Sequence, residues 1–272
     1  MSKSKNKKLS DFKALLFDID RTLTDTQKVI SPETIAAIKQ LGELGYKIGV
    51  CSGRGVAGIK NKIFPLFPKE SLHIATGGSQ LVNSQGEVIW AKNIEADAVK
   101  TLKKYVLDSN LAAIFMKQDA LYARGPTLSH LEQDDWNVIS KDLSLMSNEG
   151  VGAIFVSNLD DSLVKFVEQN PFISFKKMVG NLGDPYIDIT ARGVTKATTL
   201  MHWSKETGIQ PEHIIGFGDS LNDLEFLEAC GFSVVMGNGV EQLKEMADRV
   251  IGHTDDNSLA MYLIKIIKGD DL

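Results

Sequence analysis

The N-terminal part of the chain alternates a short apolar run, a stretch with helical spacing and a second apolar run. Residues 14–17 are all apolar, as in a buried strand. Ser31 and Pro32 then supply a helix N-cap and a first helical residue, and the helical spacing ends at Gly45. A second strand is predicted for residues 47–51. A strand, a helix and a strand in this order predict two parallel strands with a right-handed crossover.

This alternation stops near residue 83 and returns near residue 184. Between them the sequence predicts hairpins, short strands and helices, which together indicate a mixed α+β insert. We therefore predict an α/β protein, in which a Rossmann-like core with a parallel sheet (residues 13–82 and 184–272) is interrupted by a cap domain (residues 83–183). Residues 1–12 begin with the basic and polar stretch MSKSKNKK and are predicted to be disordered.

Composition excludes several classes of protein. The 272 residues are 43% hydrophobic and 24% charged, which is typical of a globular chain. The net charge of −5 gives no basic footprint for nucleic acid. No apolar run approaches the roughly 18 residues of a membrane span, and no apolar signal segment follows the basic N-terminus. Cys51 and Cys230 fit reduced thiols, so we expect a cytoplasmic protein.

The first candidate site is the acid pair Asp18 and Asp20, which follows the first predicted strand. Residues two apart on an extended chain lie on one face, so the two carboxylates would come together. Such a pair requires a cation or a shared proton, and hard oxygen ligands suit Mg²⁺. The alternative is an acidic turn that caps the strand, and the pair alone favours this simpler interpretation.

A second acidic group ends a later predicted strand, in the sequence GFGDSLND of residues 216–223. Asp219 and Asp223 are four residues apart, which places them on one face of a helix. Asp219 or Ser220 could simply cap that helix. Capping explains one residue, but it does not explain this number of acids and amides beside two glycines.

Two weaker signals complete the set. Ser52 and Gly53 end the second predicted strand, where a hydroxyl and main-chain N–H groups suit a phosphate. Lys196 begins a helix that is predicted for residues 196–207. Turns after strands often contain serine and glycine, and a single lysine is most often a solvated surface residue. Neither signal identifies a site by itself.

Taken together, the four signals resemble the motifs of the haloacid dehalogenase-like superfamily. DIDRTL, which begins at Asp18, matches the DxDxT motif, and GDSLND matches the fourth motif. Ser52 and Lys196 stand where the second and third motifs occur. The GDSxND form and the position of the insert resemble the Cof-type sugar-phosphatase branch. The chain departs from the family pattern at Arg21, where glycine is common, and at residues 76–79 (TGGS), where the branch has Asn-Gly-Ala.

The resemblance implies a Mg²⁺-dependent phosphatase that works through an aspartyl-phosphate. Asp18 would be the nucleophile, and Asp20 the general acid and base. By the same resemblance, Mg²⁺ would bind to Asp18, to Asp20 through its carbonyl, and to Asp219. Asp223 would hold the metal through water or orient Lys196. The residues implied for binding the phosphoryl oxygens are Ser52, Gly53, Lys196 and Asn222.

The implied substrate is a phosphate monoester of a small metabolite, such as a sugar phosphate, with no nucleic acid or membrane partner. Three other functions stay open: a phosphotransferase or mutase with the same chemistry, a non-catalytic phospho-acceptor resembling a response-regulator receiver, and a phospho-ligand binding protein without turnover. The length of the insert argues against a receiver. The intact acid pair argues against a binding protein.

We expect the insert to cover the site, exclude water and select substrates. Lys117, Arg124 and His130 are its candidates for facing the cleft, although each is more simply explained as a solvated residue. The sequence predicts neither the physiological substrate nor the oligomeric state.

Overall fold

A computed structural model gives the fold and describes residues 8–109, 111–124, 140–179 and 185–270. The described strands are β1 (Ala14–Phe17), β2 (Lys47–Val50), β3 (Leu72–Ala75), β4 (Gln80–Asn83), β5 (Val88–Ala91), β6 (Ala112–Lys117), β7 (Leu121–Arg124), β8 (Ser140–Asp142), β9 (Val151–Ser157), β10 (Ile173–Val179), β11 (Pro185–Ala191), β12 (Ile214–Gly218), β13 (Phe232–Val235) and β14 (Arg249–Val250). The described α-helices are α1 (Pro32–Glu43), α2 (Val56–Ile59), α3 (Ala96–Asp108), α4 (Asp161–Gln169), α5 (Lys196–Thr207), α6 (Leu224–Ala229), α7 (Glu241–Met246) and α8 (Ser258–Lys268).

Five strands form a parallel sheet in the order β14–β13–β12–β1–β2. All four residues of β1 are buried, because apolar clusters cover both faces of this sheet. Phe17 and Phe217 belong to the cluster on one face, and Leu16 and Trp203 to the cluster on the other. β3 continues the sheet beyond β2 through one isolated parallel bridge. The prediction of an α/β fold with a parallel-sheet core is confirmed.

The insert contains a six-stranded sheet in the order β10–β11–β9–β6–β7–β8. Its neighbouring strands are antiparallel, except that β7 and β8 are parallel. On one face, Leu102 of α3 and Leu163 of α4 pack with Ile189 in an apolar cluster of the insert. On the other face, Ile114 and Leu121 join an apolar cluster of the core. The insert therefore has its own apolar centre and also lies directly against the core.

Two helices begin where the sequence predicts. The Ser31 hydroxyl accepts a hydrogen bond from the Thr34 N–H (3.1 Å), and Pro32 is the first residue of α1. α5 has the predicted bounds of 196–207, and Gly208 ends it in the left-handed conformation with φ of 72°. Within the described ranges, no helix has both the length and the hydropathy to cross a bilayer.

Strand pairing differs from the predicted boundaries of the insert. The predicted hairpin near residue 83 forms, but β5 pairs with β4 and β4 with β3, so residues 88–91 extend a sheet of the core. β11 pairs with β9 and β10, although residues 185–191 were predicted to belong to the core. A period of two predicts a strand but not its partner, which explains both differences. We propose an insert of residues 92–192, between β5 and α5.

The N-terminal segment is also more ordered than predicted. Leu9–Asp11 form a 3₁₀ turn, and the ring centroid of Phe12 lies 5.9 Å from that of Phe232 in an edge-to-face contact. Phe12 is buried, so its apolar ring fixes the chain just before β1. Residues 1–7 lie outside the described residues.

Candidate active site

The predicted site residues meet at one edge of the parallel sheet. Asp18 follows β1, Ser52 follows β2 and Asp219 follows β12, and β1 lies between the other two strands. Because the strands are parallel, their carboxyl ends point to the same side. Lys196, the first residue of α5, reaches the same place from the other end of the insert. The fold therefore brings together all four sequence signals.

Lys196 is the centre of this group. Its Nζ lies 2.6 Å from Asp18 Oδ1, 2.6 Å from Asp223 Oδ1 and 3.5 Å from Asn222 Oδ1. The lysine side chain is only 2% exposed, so it is not the solvated residue that a lone lysine would favour. The N-cap Thr195 fixes the start of α5, because its hydroxyl accepts from the Thr198 N–H (3.2 Å). The ammonium thus sits between two buried carboxylates, at hydrogen-bond distance from each.

The two carboxylate oxygens of Asp223 have different hydrogen-bond partners. Its Oδ2 accepts hydrogen bonds from the N–H groups of Asp219 and Ser220, both at 3.2 Å, which caps the turn. Its Oδ1 accepts from Lys196. Asp223 therefore caps the turn together with the N-cap Ser220, one of the two residues predicted for that role, and its second oxygen contacts the ammonium of Lys196.

The carboxylates of Asp18, Asp219 and Asp223 form a buried cluster, and each offers an oxygen within 4.8 Å of the others. Lys196 is the ammonium that contacts two of the three. Hard carboxylate oxygens in this number fit Mg²⁺, which binds through few protein carboxylates and keeps several water ligands. The predicted Asp20 carbonyl ligand stays a prediction.

Burial changes the acidity of the cluster. It raises the pKa of Asp18 well above its ordinary value, with Lys196 opposing and the carboxylates of Asp223 and Asp219 adding to the rise. Burial and the charge of Asp223 raise the pKa of Asp219 to about 7, although Arg21 and Lys196 oppose this. Both effects arise from concentrated negative charge out of water, which a bound divalent cation relieves.

Asp20 lies beyond the end of β1, in the turn Ile19–Leu23, where its own backbone is extended (φ −70°, ψ 123°) and that of Arg21 is left-handed. Asp20 has a different partner from Asp18. Its carboxylate accepts two hydrogen bonds from Arg54, Nε to Oδ2 at 2.7 Å and Nη2 to Oδ1 at 2.6 Å. Burial opposes ionisation of Asp20, but the charge and hydrogen bonds of Arg54 outweigh it and lower its pKa.

The sequence predictions do not include Arg54. The only available signal is its position two residues after Ser52, at the end of a strand next to β1. A strand-order prediction precise enough to place β2 beside β1 would have identified Arg54 as a partner for the acid pair. The bidentate geometry suits a carboxylate, and it suits a phosphate equally well.

Arg21 occupies the left-handed conformation, with φ of 58°. Glycine adopts this conformation freely, and another residue pays a steric cost of roughly 1 kcal/mol. Local hydrogen bonds hold the turn: the Arg21 N–H donates to Thr24 Oγ1 (3.3 Å), and its carbonyl accepts from Asn238 Nδ2 (2.9 Å). These hydrogen bonds hold the backbone of Arg21 in a conformation that glycine would adopt more easily. The Arg21 side chain adds positive charge near Asp219.

Ser52, Gly53 and Asn222 lie next to the charged centre. The Ser52 hydroxyl is buried and accepts from the Arg54 N–H (3.1 Å). A Cβ on Gly53 would lie 3.6 Å from Asn222 Nδ2, so the Gly53 backbone and this amide are close neighbours. The Asn222 Oδ1 accepts from the Ser220 hydroxyl (2.8 Å), which leaves its NH₂ group as a donor.

A cavity of about 220 Å³ extends from Lys196 and Asn222 to the insert. Its wall on the insert side consists of residues from β10 and β11, among them Lys176 and Asp188, which the sequence predictions do not include. Lys117 and Arg124 do not line it. Lys117 Nζ donates to Ser147 Oγ (2.8 Å), and Arg124 Nη1 donates to the Val106 carbonyl (2.7 Å). His130 lies outside the described residues.

The sequence model of the haloacid dehalogenase-like hydrolase family matches residues 15–263. This match spans nearly all of the described fold, so the chain belongs to the haloacid dehalogenase-like hydrolases. The resemblance that the motifs predict is confirmed. The protein is an enzyme of the phosphatase class within this family, and several curated relatives that resemble it are phosphatases too.

Among curated relatives, the chain is similar to the pyridoxal phosphate phosphatase YbhA of Escherichia coli (23% identity, 92% of this chain and 97% of the relative). It is similar to the 5-amino-6-(5-phospho-D-ribitylamino)uracil phosphatase YitU of Bacillus subtilis (24% identity, 92% and 95%). Among solved structures, it shares its fold with the HAD subclass IIB sugar phosphatase BT4131, with a TM-score of 0.79 and 24% identity over 93% of this chain and 98% of that one.

Proposed function

We propose that the protein is a Mg²⁺-dependent phosphatase that hydrolyses a phosphate monoester of a small metabolite through an aspartyl-phosphate on Asp18. The observation that carries this proposal is the buried contact of Lys196 with both Asp18 and Asp223, beside Asp219. A buried carboxylate between an ammonium and a cation-binding cluster is suited to attack an anionic phosphoryl group. We also expect a cytoplasmic enzyme without nucleic acid or membrane partners.

In the first step, an Asp18 oxygen forms a bond to phosphorus while the bond from phosphorus to the leaving oxygen breaks. Lys196, Asn222, Ser52 and the Gly53 backbone hold the phosphoryl oxygens, and Lys196 also orients the nucleophile. When bound at the carboxylates of Asp18, Asp219 and Asp223, Mg²⁺ would supply positive charge between the nucleophile and the ester. In the second step, water attacks phosphorus and the bond to Asp18 breaks.

Asp20 would give a proton to the leaving oxygen and later take one from water. Its ion pair with Arg54 holds the carboxylate ionised, which suits the proton-accepting step. The proton-donating step requires the Asp20 carboxyl to separate from Arg54 and take up a proton. Arg54 is then available to the phosphoryl group, so substrate binding and this separation are coupled in the proposal.

The cavity between the two domains supports a small substrate, since the insert lies over the site. The two curated relatives are named for pyridoxal phosphate and for a phosphorylated ribitylamino-uracil, and the structural neighbour for sugar phosphate. From these we propose a phosphorylated metabolite with a compact leaving group, such as a sugar phosphate or a related alcohol phosphate.

The test is a phosphate-release assay over sugar, nucleotide and cofactor phosphates and the aryl ester p-nitrophenyl phosphate, with Mg²⁺ and with EDTA. We expect turnover with Mg²⁺, loss in EDTA and recovery when Mg²⁺ is restored. Full turnover in a sample shown by elemental analysis to be free of metal would contradict the metal assignment. A phosphorylated acceptor product in place of free phosphate would favour a phosphotransferase. No turnover of any ester would refute the proposal.

A further inference from the structure

The wall that the insert contributes to the cavity comes from two paired strands, β10 and β11. Ser174 lies opposite Thr190, and Lys176 lies opposite Asp188. Ile187 and Ile189, the neighbours of Asp188 along β11, are fully buried in the apolar cluster of the insert. Because side chains alternate along a strand, Asp188 lies on the opposite face, toward the cavity that it lines.

The other polar side chains on this wall already have partners. Thr190 Oγ1 donates to the Val194 carbonyl (2.9 Å), and Ser174 Oγ accepts from the Gly193 N–H (3.0 Å). Lys176 Nζ reaches across the cavity to Glu225 Oε2 of the core, 3.2 Å away. These contacts fix three of the four facing residues in place.

The Asp188 carboxylate is different, because no described residue donates a hydrogen bond to it or lies within ion-pair distance. Burial raises the pKa of Asp188 to about 6, with the charges of Lys196 and Lys176 opposing, so it is ionised at pH 8. An ionised carboxylate accepts hydrogen bonds and donates none. Leaving it unpaired in a partly desolvated cavity is costly, so a ligand that brings a donor is favoured.

We propose that Asp188 selects the leaving group of the substrate, by accepting a hydrogen bond from a hydroxyl and by repelling a carboxylate or a second phosphate at the same position. The proposal rests on the proposed function, since it places the phosphoryl group at Lys196 and Asn222 and the leaving group toward β11. The favoured substrates are monophosphates of neutral polyhydroxy compounds. Sugar acid phosphates and bisphosphates are rejected, because like charges at short range disfavour binding.

The experiment uses two pairs of substrates that differ by one group. Glycerol 3-phosphate is compared with 3-phosphoglycerate, and sorbitol 6-phosphate with 6-phosphogluconate, so that an alcohol replaces a carboxylate at two distances from the phosphate. The readout is the ratio of kcat/KM between the members of a pair at pH 8, which cancels any loss common to both. The variants are Asp188→Asn and Asp188→Ser, and the matched control is Asp119→Asn, an exposed acid of the insert that does not line the cavity.

We expect the wild-type protein to prefer the alcohol at least about tenfold in the pair whose length reaches Asp188. Both Asp188 variants should narrow that ratio to within about threefold, and Asp119→Asn should keep it. Equal kcat/KM values within both pairs, or a preference that both Asp188 variants retain, would overturn the proposal. Wild-type turnover of p-nitrophenyl phosphate tests the proposed function separately, because this ester lacks both groups.

Discussion

The two main sheets of the molecule use opposite parts of their strands for the site. In the parallel core, the residues of the site follow the strand ends, and β1 itself is buried on both faces. In the antiparallel insert, Asp188 and Lys176 lie within the strands, on one face of the sheet. In the proposed mechanism, the core places the reacting groups at the ends of its strands, and the insert places the residues that contact the leaving group on one face of its sheet.

From this difference we expect the core to determine the rate of the reaction and the insert to determine which substrates bind. Residues at the carboxyl ends of parallel strands are held by the sheet and by the helices that follow, so their relative positions are rigid. A side chain on a strand face can be substituted without altering the backbone, because its main requirement is to fit the side chains or the ligand that it contacts. We therefore expect changes in the core to affect every substrate alike, and changes on β10 and β11 to affect substrates selectively.

The largest expected effect is in the core. Asp18→Asn removes the proposed nucleophile and retains the size of the side chain, so turnover of every substrate should fall by at least about 10³-fold. Phosphate release over several esters measures the activity, and circular dichroism measures the fold. Asp270→Asn, at an exposed position of the core, is the matched control and should keep full activity. Near-native turnover by a folded Asp18→Asn protein would contradict this expectation. Loss of activity on some esters only would contradict the expectation that changes in the core affect every substrate alike.

A smaller effect concerns stability of the core in acid. His73 of β3 is fully buried, its ring stacked on Phe64 at 4.1 Å, and its Nδ1 accepts from the Val50 N–H (3.3 Å). Burial lowers its pKa to about 3, while the unfolded chain has an ordinary value of 6.5. Between these two values the unfolded state binds a proton that the folded state does not, so stability falls as the pH falls below about 6.5.

From pH 7.5 to pH 5.0, His73 should cost about 2 kcal/mol of the free energy of unfolding. Denaturant unfolding followed by circular dichroism at both pH values measures this loss. His73→Gln should be less stable than the wild-type protein at pH 7.5, but its loss between the two pH values should be about 2 kcal/mol smaller. An equal loss in both proteins would show that the acid sensitivity of the core lies elsewhere.

The smallest expected effect is at the contact between the two domains. Lys176→Met removes the partly exposed ion pair with Glu225, and such pairs contribute up to about 1 kcal/mol, so KM should rise by no more than about fivefold with kcat nearly unchanged. Lys177→Met is the matched control, because Lys177 Nζ pairs with Glu168 Oε1 inside the insert, 2.9 Å away.

Salt and a second substitution sharpen this test. The wild-type KM should rise with ionic strength more than that of Lys176→Met, since screening weakens the same contact. The effects of Lys176→Met and Glu225→Gln should not add in the double variant. Additive effects, or an equal rise in KM for Lys177→Met, would mean that the ion pair does not join the domains during binding.

The sequence predicts the core in detail because local signals coincide there with the site. Asp18, Lys196 and Asp219 each stand at the end or the beginning of a predicted element, so an apolar run or a helix start marks them. No such boundary identifies Asp188, because it lies inside a strand in which polar and apolar residues alternate. The sequence does not reveal the partner strands of that strand either. Arg54 was missed for a related reason, because its pairing with Asp20 depends on the turn at Ile19–Leu23 and on strand order.

The order of strands in the parallel sheet has a consequence for how the chain folds as it is made. β1 lies between β2 and β12, and Ala14 pairs with Ile214, which is synthesised 200 residues later. At about 5–20 residues per second, one edge of β1 waits for its partner for about 10 s or longer. The whole insert emerges during this delay, and its strands pair largely within their own segment, so it has the partners it needs to fold first. The pairing of β1 with β12 can therefore form only after the whole insert has been made, and Asp18 and Asp219 come together only when this pairing forms.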